Sequence, residues 1–167
     1  ILHQERECLA MCYSSGDPHY QTLDGLNFNF NGACSYTLLR DRINYVFAIT
    51  VENVPCGEAG VTCTKAVTIQ TGGRTFLLMD GTTLFIDDIP VQPSNDEIVE
   101  GVSFYINGMT NILIFQELDI VIISNGADGL FTWVHKRWMN KVEGLCGNFD
   151  GVSSNDFDVE HRGDRKS

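Results

Sequence analysis

The sequence predicts an all-β fold, either an antiparallel β-sandwich or a barrel. Apolar and polar residues alternate along many short stretches, for example residues 26–31 and 64–71, which is the pattern of half-buried strands. Turn-forming pairs such as Asn107-Gly108 and Asn125-Gly126 separate these stretches. The chain has 167 residues, the size of one ordinary domain.

The elements follow in order along the chain. Residues 1–15 are expected to be irregular, and residues 16–20 to form a turn. A strand is predicted over residues 26–31, and Asn31-Gly32 is predicted to be a hairpin turn into the next strand. A loop is expected at 90–95 and a single helical turn at 136–142. The other predicted strands cover residues 35–39, 44–52, 64–71, 75–79, 84–86, 99–106, 112–115, 118–124 and 130–135.

Composition and charge narrow the class of protein. The net charge of -11 argues against a nucleic-acid partner. No apolar run is long enough to span a membrane. The polar, acidic first residues do not resemble a signal peptide, so we expect the chain to be a piece of a longer one.

The six cysteines indicate an oxidising compartment. Cys8 and Cys12 are closely spaced, but no second cysteine pair or histidine pair accompanies them. Disulfides are therefore the better interpretation than zinc.

Residues 148–156 hold four Asn or Asp side chains, each of which carries oxygen. Asn, Asp and backbone oxygens are the ligands that Ca²⁺ prefers. The same residue types also make ordinary surface turns, so the residues alone leave a calcium site and an Asx-rich turn equally open. The four side chains are those of Asn148, Asp150, Asn155 and Asp156.

No motif points to an enzyme. The four histidines are scattered, and neither a Gly-x-Ser-x-Gly elbow nor a His-Glu-x-x-His motif occurs. Acidic residues are plentiful, but nothing singles out a catalytic pair, and we expect no enzymatic activity.

Four motifs in order resemble the von Willebrand factor type D domain, a family found in gel-forming mucins, tectorins, zonadhesin and other secreted proteins. They are GDPHYQTLDG at 16–25, FNFNGACSY at 28–36, CTKAVTI at 63–69 and GLCGNFDGVSSNDF at 144–157. The resemblance covers nearly the whole chain, from about Cys12 to Phe157.

The resemblance implies a calcium site in the closing loop, completed by an aspartate from the first motif. Three carboxylates suit Ca²⁺ better than a transition metal, which favours His or Cys. The implied ligands are Asp24, Asn148, Asp150, Asn155, Asp156 and the carbonyl of Val152.

The resemblance also implies the disulfides Cys12–Cys146 and Cys56–Cys63. Cys8 and Cys34 remain, and they either pair with each other, which we slightly favour, or Cys34 has its partner beyond Ser167.

The chain departs from the family pattern at Glu143. The family often has the first cysteine of Cys-Gly-Leu-Cys there, and the usual partner after Asp41-Arg42 is absent too. One disulfide is therefore expected to be lost, and thiol exchange at Cys146 lacks a resolving thiol.

Two short motifs suggest further activities. The Asp17-Pro18 bond, followed by His19, is acid-labile, and some members of the family cleave themselves at this motif; the alternative is a simple turn. Arg162-Gly163-Asp164 is an integrin-type tripeptide, for which chance occurrence is the alternative.

A basic segment, His135-Lys136-Arg137, is flanked by Trp133 and Trp138. It indicates either core tryptophans on a strand with solvated neighbours or a face that binds a partner.

These observations predict an antiparallel β-sandwich with long loops, stapled by disulfides, with a calcium-binding loop near its C-terminus. Residues 1–13 are expected to be the tail of a preceding cysteine-rich module, 14–158 the domain, and 159–167 a polar tail.

The predicted function is a secreted, calcium-stabilised structural and interaction module of a larger protein. Its expected partners are other modules of that protein and extracellular proteins. The alternatives are a self-processing domain cleaved at Asp17-Pro18 and a module that binds a secreted growth factor.

Overall fold

A computed structural model describes residues 8–15, 19–57, 60–80, 83–125 and 129–158. They form two antiparallel sheets, so the predicted all-β class is confirmed. The strands are numbered along the chain. In spatial order, the eight-stranded sheet contains β10 (Glu97–Val99), β11 (Val102–Asn107), β12 (Thr110–Phe115), β13 (Ile120–Ser124), β14 (Gly129–His135), β1 (Leu9–Ser15), β2 (His19–Gln21) and β3 (Asn27–Asn29).

The second sheet has seven strands. Two short 3-10 turns, Lys136–Trp138 and Ser153–Asn155, complete the regular structure. No helix in this part of the chain is long and apolar enough to cross a membrane. In spatial order, the strands are β15 (Val142–Glu143), β4 (Ser35–Asp41), β5 (Phe47–Pro55), β6 (Thr62–Thr71), β7 (Arg74–Met79), β8 (Thr83–Ile86) and β9 (Ile89–Val91).

The core lies between the two sheets. Along β5, Phe47, Ile49 and Val51 are buried and alternate with partly exposed residues, as a strand with one face on a core requires. Across the sheets, the rings of Phe76 and Phe115 meet edge to face with their centroids 5.0 Å apart. The alternation that predicted the strands therefore reflects one shared apolar layer.

The prediction of irregular structure over residues 1–15 is wrong for Leu9–Ser15. These residues form β1, which pairs with β14 along its whole length and with β2. β1 therefore enters the sandwich before the predicted domain start at residue 14. Its sequence, LAMCYSS, has little alternation, so an apolar pattern could not predict it. Pairing with β14 and β2 holds it in the sheet.

The prediction of a hairpin at Asn31-Gly32 is also wrong. β3 pairs with β2 in the first sheet, whereas β4 belongs to the second. The segment between them crosses from one sheet to the other. Phe30 anchors this crossing, since its ring lies 4.7 Å from that of Tyr36 and 6.0 Å from that of Tyr20.

Two other strand predictions need correction. The predicted loop at 90–95 begins with an edge strand, β9, in which Pro90 is tolerated because an edge strand leaves one side unpaired. The predicted strand at 99–106 is two strands, β10 and β11, separated at Gly101, whose φ of 78° is a left-handed conformation that favours glycine.

The structure contains the disulfides Cys12–Cys146 and Cys56–Cys63, the two pairings that the resemblance implies. The first joins β1 to the segment that follows β15, across 134 residues of sequence. The second closes the short connection between β5 and β6.

The favoured pairing of Cys8 with Cys34 is wrong: both cysteines are free and exposed. Cys8 immediately precedes β1, whereas Cys34 lies near the other end of that strand: the Cys34 carbonyl accepts from the backbone of Asn53, whose side chain bonds to Tyr20, the partner of Ser14 in β1. A strand of seven residues spans about 23 Å. A disulfide needs Cα atoms within about 7 Å, so the two cysteines lie too far apart along the sandwich.

Candidate metal site

The candidate site forms where the turn after β2 meets the loop after Cys146. The backbone N–H of Leu23 donates to the carbonyl of Cys146 at 2.9 Å, and the disulfide to Cys12 holds the same point. Within the turn, Gly25 has a φ of 91° and donates to the Thr22 carbonyl. Residues more than a hundred positions apart are thereby held side by side.

The aspartates at this junction form a tight cluster. One carboxylate oxygen from each of Asp24, Asp150 and Asp156 lies within 4.8 Å of the others. Asp24 also accepts backbone N–H groups from Asp150 at 2.9 Å and Gly151 at 2.8 Å. These bonds fix the Asp24 carboxylate against the loop, but they leave three carboxylates crowded together.

Two asparagine amides complete the ring of polar groups. The Asn155 amide donates to Asp150 Oδ2 at 2.7 Å. The Asn148 amide lies 3.3 Å from Asn155 Oδ1 and 3.5 Å from Asp150 Oδ2. The structure thus brings together all five side chains that the resemblance implies as ligands.

Two buried oxygen atoms at the site, Asn148 Oδ1 and Asp156 Oδ1, have no hydrogen-bond partner among the described residues. An unpaired buried oxygen costs free energy, and each instance in a folded protein calls for an explanation. A cation held among these oxygens supplies one, because it would coordinate both. This donor set consists of oxygen alone, so the residues present fit a hard cation such as Ca²⁺.

The electrostatics of the carboxyl groups differ. Burial, together with the neighbouring Asp24 carboxylate, raises the pKa of Asp156 to about 6, although a hydrogen bond from the Thr22 hydroxyl acts in the opposite direction. Burial also acts to raise the pKa of Asp150, but donors from Asn155 and Val152 outweigh it and lower that pKa below its ordinary value.

The local sequence explains the shape of the loop. At Gly147, a Cβ atom would lie 2.8 Å from the Asp156 carboxyl carbon, so a larger residue would displace that group. Phe149 is buried and its carbonyl accepts from Asn140, while the Phe157 ring packs 4.9 Å from that of Phe28. The glycine admits the carboxylate, and the two aromatic rings anchor the loop.

One residue of the site was missed in the sequence. The Thr22 hydroxyl donates to Asp156 Oδ2 and accepts from the backbone of Leu26. The signal that could have found it is its position two residues before Asp24, in the same turn that the Gly25 to Thr22 hydrogen bond closes. Val152, whose carbonyl is an implied ligand, follows Asp150 and donates its N–H to that carboxylate at 2.8 Å.

The structure adds little information about the other predicted sites. Gly16, Asp17 and Pro18 lie outside the described residues, as do Arg162, Gly163 and Asp164. Cleavage at Asp17-Pro18 and integrin binding therefore stay predictions. His19 is exposed, and its Nδ1 lies 2.7 Å from Asn29 Oδ1.

The two tryptophans differ in burial, and only one of them is a core residue. Trp138 is buried, donates its indole N–H to the Leu118 carbonyl at 2.7 Å and meets the Phe47 ring. It is a core residue, whereas Trp133 is half-buried on β14. Arg137 covers Trp138 and bonds to Asp119 at 2.9 Å.

Comparison with known proteins matches residues 12–160 to the von Willebrand factor type D domain. Similar curated proteins include SCO-spondin of Gallus gallus, 35% identical over 151 residues, and Mucin-5AC of Homo sapiens, 36% identical over 162 residues. Mucin-5B of Homo sapiens is 31% identical over 162 residues. These alignments cover 90%, 93% and 94% of this chain but 3% of each relative.

Proposed function

The chain belongs to the von Willebrand factor type D domain family, and from that premise we propose that it is a calcium-stabilised structural and interaction module of a larger protein. Like the family, it is extracellular. It spans about 3% of the length of the curated relatives quoted above. Because the chain is such a small part of these relatives, its partners are also proposed: they are neighbouring modules and other extracellular proteins.

The observation that supports calcium is the cluster of three carboxylates with two unpartnered buried oxygens beside it. Like charges at this range repel one another. A divalent cation held by Asp24, Asp150 and Asp156, with Asn148, Asn155 and the Val152 carbonyl, would neutralise that repulsion and use the unpartnered oxygens.

The proposed role of the ion is structural. Asp24 is 126 residues from Asp150 in sequence, so an ion shared between them would act as a second cross-link beside Cys12–Cys146. Extracellular calcium modules bind at about millimolar levels. An ion that binds the folded state alone at a hundredfold excess over its dissociation constant stabilises that state by about 2.7 kcal/mol.

The experiment is thermal melting of the chain in calcium and in EGTA. We expect the midpoint of the wild type to rise in calcium. Asp150→Ala removes a proposed ligand, so its midpoint should no longer depend on calcium. The matched control is Asp96→Ala, an exposed aspartate outside the cluster, which should keep the full calcium response.

Equal midpoints for the wild type with and without calcium would show that residues 148–156 form only an Asx-rich turn. Isothermal titration with Ca²⁺ gives a second readout, independent of unfolding: one site for the wild type and for Asp96→Ala, and none for Asp150→Ala.

A further inference from the structure

The turn between β4 and β5, residues 42–46, presents three large apolar side chains to solvent. Ile43 is 51% exposed, Tyr45 66% and Val46 46%. Isolated exposed apolar residues are common on protein surfaces, but a contiguous group marks an interaction site. We name this segment the apolar turn.

The apolar turn is rigid. The carboxylate of Asp41 is buried and accepts backbone N–H groups from Ile43 at 2.9 Å, Asn44 at 3.2 Å and Val46 at 3.0 Å. Tyr45 has a φ of 54°, a left-handed conformation that is costly for a bulky side chain. Such strain persists where the surroundings impose it, and it is concentrated at functional segments. The side chains are thus fixed in an exposed arrangement before any partner binds.

Basic side chains border the apolar turn. The Arg40 guanidinium lies 5.9 Å from the centre of the Tyr45 ring. Arg42 donates its backbone N–H to the Lys141 carbonyl at 2.9 Å, which places Lys141, an exposed residue, beside the turn. Arg40 is balanced by Glu143 at 2.6 Å, so the positive charge beside the turn comes from Lys141, on a protein whose net charge is -11. Tyr and Arg are also the residue types that dominate binding energy at protein interfaces.

A cavity of about 280 Å³ opens at the same end of the sandwich. Apolar side chains from both sheets lie at its floor, and the rest of its lining is largely polar. The apolar residues are Phe76 from the second sheet, Val102 and Phe115 from the first, and Leu118 from the turn before β13. This volume lies just below the range of small-molecule pockets, about 300–1,000 Å³, and suits a single large side chain.

The rim of the cavity is acidic. Glu100 and Glu117 both line it and are exposed, and neither forms an ion pair within the described part of the chain. Arg74 also lines the cavity, but its charge is balanced by Asp87 at 3.1 Å. The cavity therefore complements a group that is apolar at its tip and positively charged at its base.

The apolar turn and the cavity are neighbours. The hydroxyl of Thr71, on the cavity wall, donates to the Val46 carbonyl at 3.0 Å. Both features are built from connections at one end of the two sheets, so both face outward from that end.

We propose that two copies of this chain associate through this end, with the apolar turn of each copy seated in the cavity of the other. A projection and its complementary recess on one surface are what a two-fold symmetric interface requires, because each contact then occurs twice. Tyr45 enters the cavity and meets the apolar side chains on its floor, while Lys141 approaches Glu100 and Glu117. The net charges of the two copies repel, but this repulsion is screened beyond about 8 Å at physiological salt, whereas the local pairs act at contact.

This dimer does not depend on the calcium site, which uses different residues. It also differs from any disulfide-linked association, and the test is therefore performed on a chain that carries Cys8→Ser and Cys34→Ser. In that background, sedimentation equilibrium should show a dimer that dissociates on dilution.

Two substitutions test the two halves of the contact. Tyr45→Asn removes the ring while tolerating the left-handed backbone, and Glu117→Lys reverses a charge at the rim. Each should weaken the dimer at least tenfold, with circular dichroism spectra like those of the parent chain. The matched control is Met109→Ser: Met109 is 86% exposed and lies in the β11–β12 hairpin, at the opposite end of β11 from the cavity, so the dimer should persist.

The proposal is overturned if the parent chain remains monomeric at about 100 µM, where an interface of even modest affinity is populated. It is equally overturned if the dimer survives Tyr45→Asn or Glu117→Lys, or if Met109→Ser abolishes it.

Discussion

At the scale of single residues, the calcium-free site gives Asp156 an unusual pH dependence. Its pKa is raised to about 6, above the value near 3.9 of an unfolded aspartate. Between these values the folded chain binds the proton and the unfolded chain does not. Asp156 therefore contributes stability below pH 4, and this contribution is lost as the pH rises through about 6.

We expect the free energy of unfolding of the metal-free wild type to fall from about pH 4 to about pH 7 relative to that of Asp156→Asn. Urea midpoints of the two proteins at matched pH measure the difference. Subtracting the free energy of unfolding of Asp156→Asn from that of the wild type removes the contributions of other carboxyl groups, whose pH dependence has the opposite sign. A difference that does not change with pH would contradict the assignment.

Asp41 has the opposite behaviour. Burial alone would raise its pKa, but the backbone donors Val46, Ile43 and Asn44 lower it below the ordinary value, so the carboxylate stays charged at neutral pH. Its stabilising contribution is present above the ordinary pKa of an aspartate and is lost as the pH falls through the lowered one.

We expect Asp41→Ala to cost about 1–3 kcal/mol, because three part-buried backbone N–H groups lose a charged acceptor. Urea unfolding at neutral pH measures the loss. Asp96→Ala, at an exposed position without a left-handed backbone, is the comparison. A loss as small as that of Asp96→Ala would show that the apolar turn keeps its shape without the carboxylate.

At the scale of elements, an ion pair joins β15 to β4. Arg40 and Glu143 are direct partners in the ladder, and their side chains meet at 2.6 Å. The resemblance implies that a disulfide is missing at Glu143. Because both side chains are partly exposed, 41% and 28%, the pair contributes less than a disulfide, about 0–1 kcal/mol against 2–4 kcal/mol.

Glu143→Gln should therefore lower the free energy of unfolding by no more than about 1 kcal/mol. A double-mutant cycle with Arg40→Gln, followed by urea unfolding, isolates the pair energy. A coupling energy above about 2 kcal/mol would mean that the ion pair is a principal tie between these strands.

The sequence was informative where a strand has one buried face and misleading where pairing alone sets the structure. Alternation located β5, β6 and β7, whose inner residues enter the core. It missed β1, which neighbouring strands hold in place, and it mistook the crossing after β3 for a hairpin, because Asn31-Gly32 has the composition of a turn in either case. Local composition does not reveal which sheet a strand joins.

The candidate site shows a similar division. The Asn and Asp side chains of the closing loop were visible in the sequence, and the resemblance added Asp24. Thr22 was missed because its contact with Asp156 spans 134 residues. Cys8 and Cys34 were mispaired because cysteine identity carries no information about distance through the fold.

At the scale of the whole molecule, the two disulfides differ in what they hold. In the chain-entropy model, Cys12–Cys146 closes a loop worth about 5 kcal/mol, whereas Cys56–Cys63 closes one worth about 2.4 kcal/mol. We expect the double substitution of Cys12 and Cys146 by Ser to lower the urea midpoint more than that of Cys56 and Cys63. The reverse order would show that strain or residual structure, rather than loop length, governs both.

The position of the long disulfide also determines how the domain carries mechanical load. Tension applied to the two ends of the chain passes directly from Cys12 to Cys146 through the disulfide. The segment between them therefore bears no load; it spans a sequence separation of 134 residues, about 450 Å of extended chain. The loop at 148–156 and residues 9–11 of β1 lie outside that link, on either side of it, and bear the force directly. Asp24 lies inside the segment that the disulfide protects. It holds the loop at 148–156 by accepting hydrogen bonds from the backbone N–H groups of Asp150 and Gly151. The domain would therefore stretch in two stages, a short extension as this loop detaches and a long one when the disulfide is reduced.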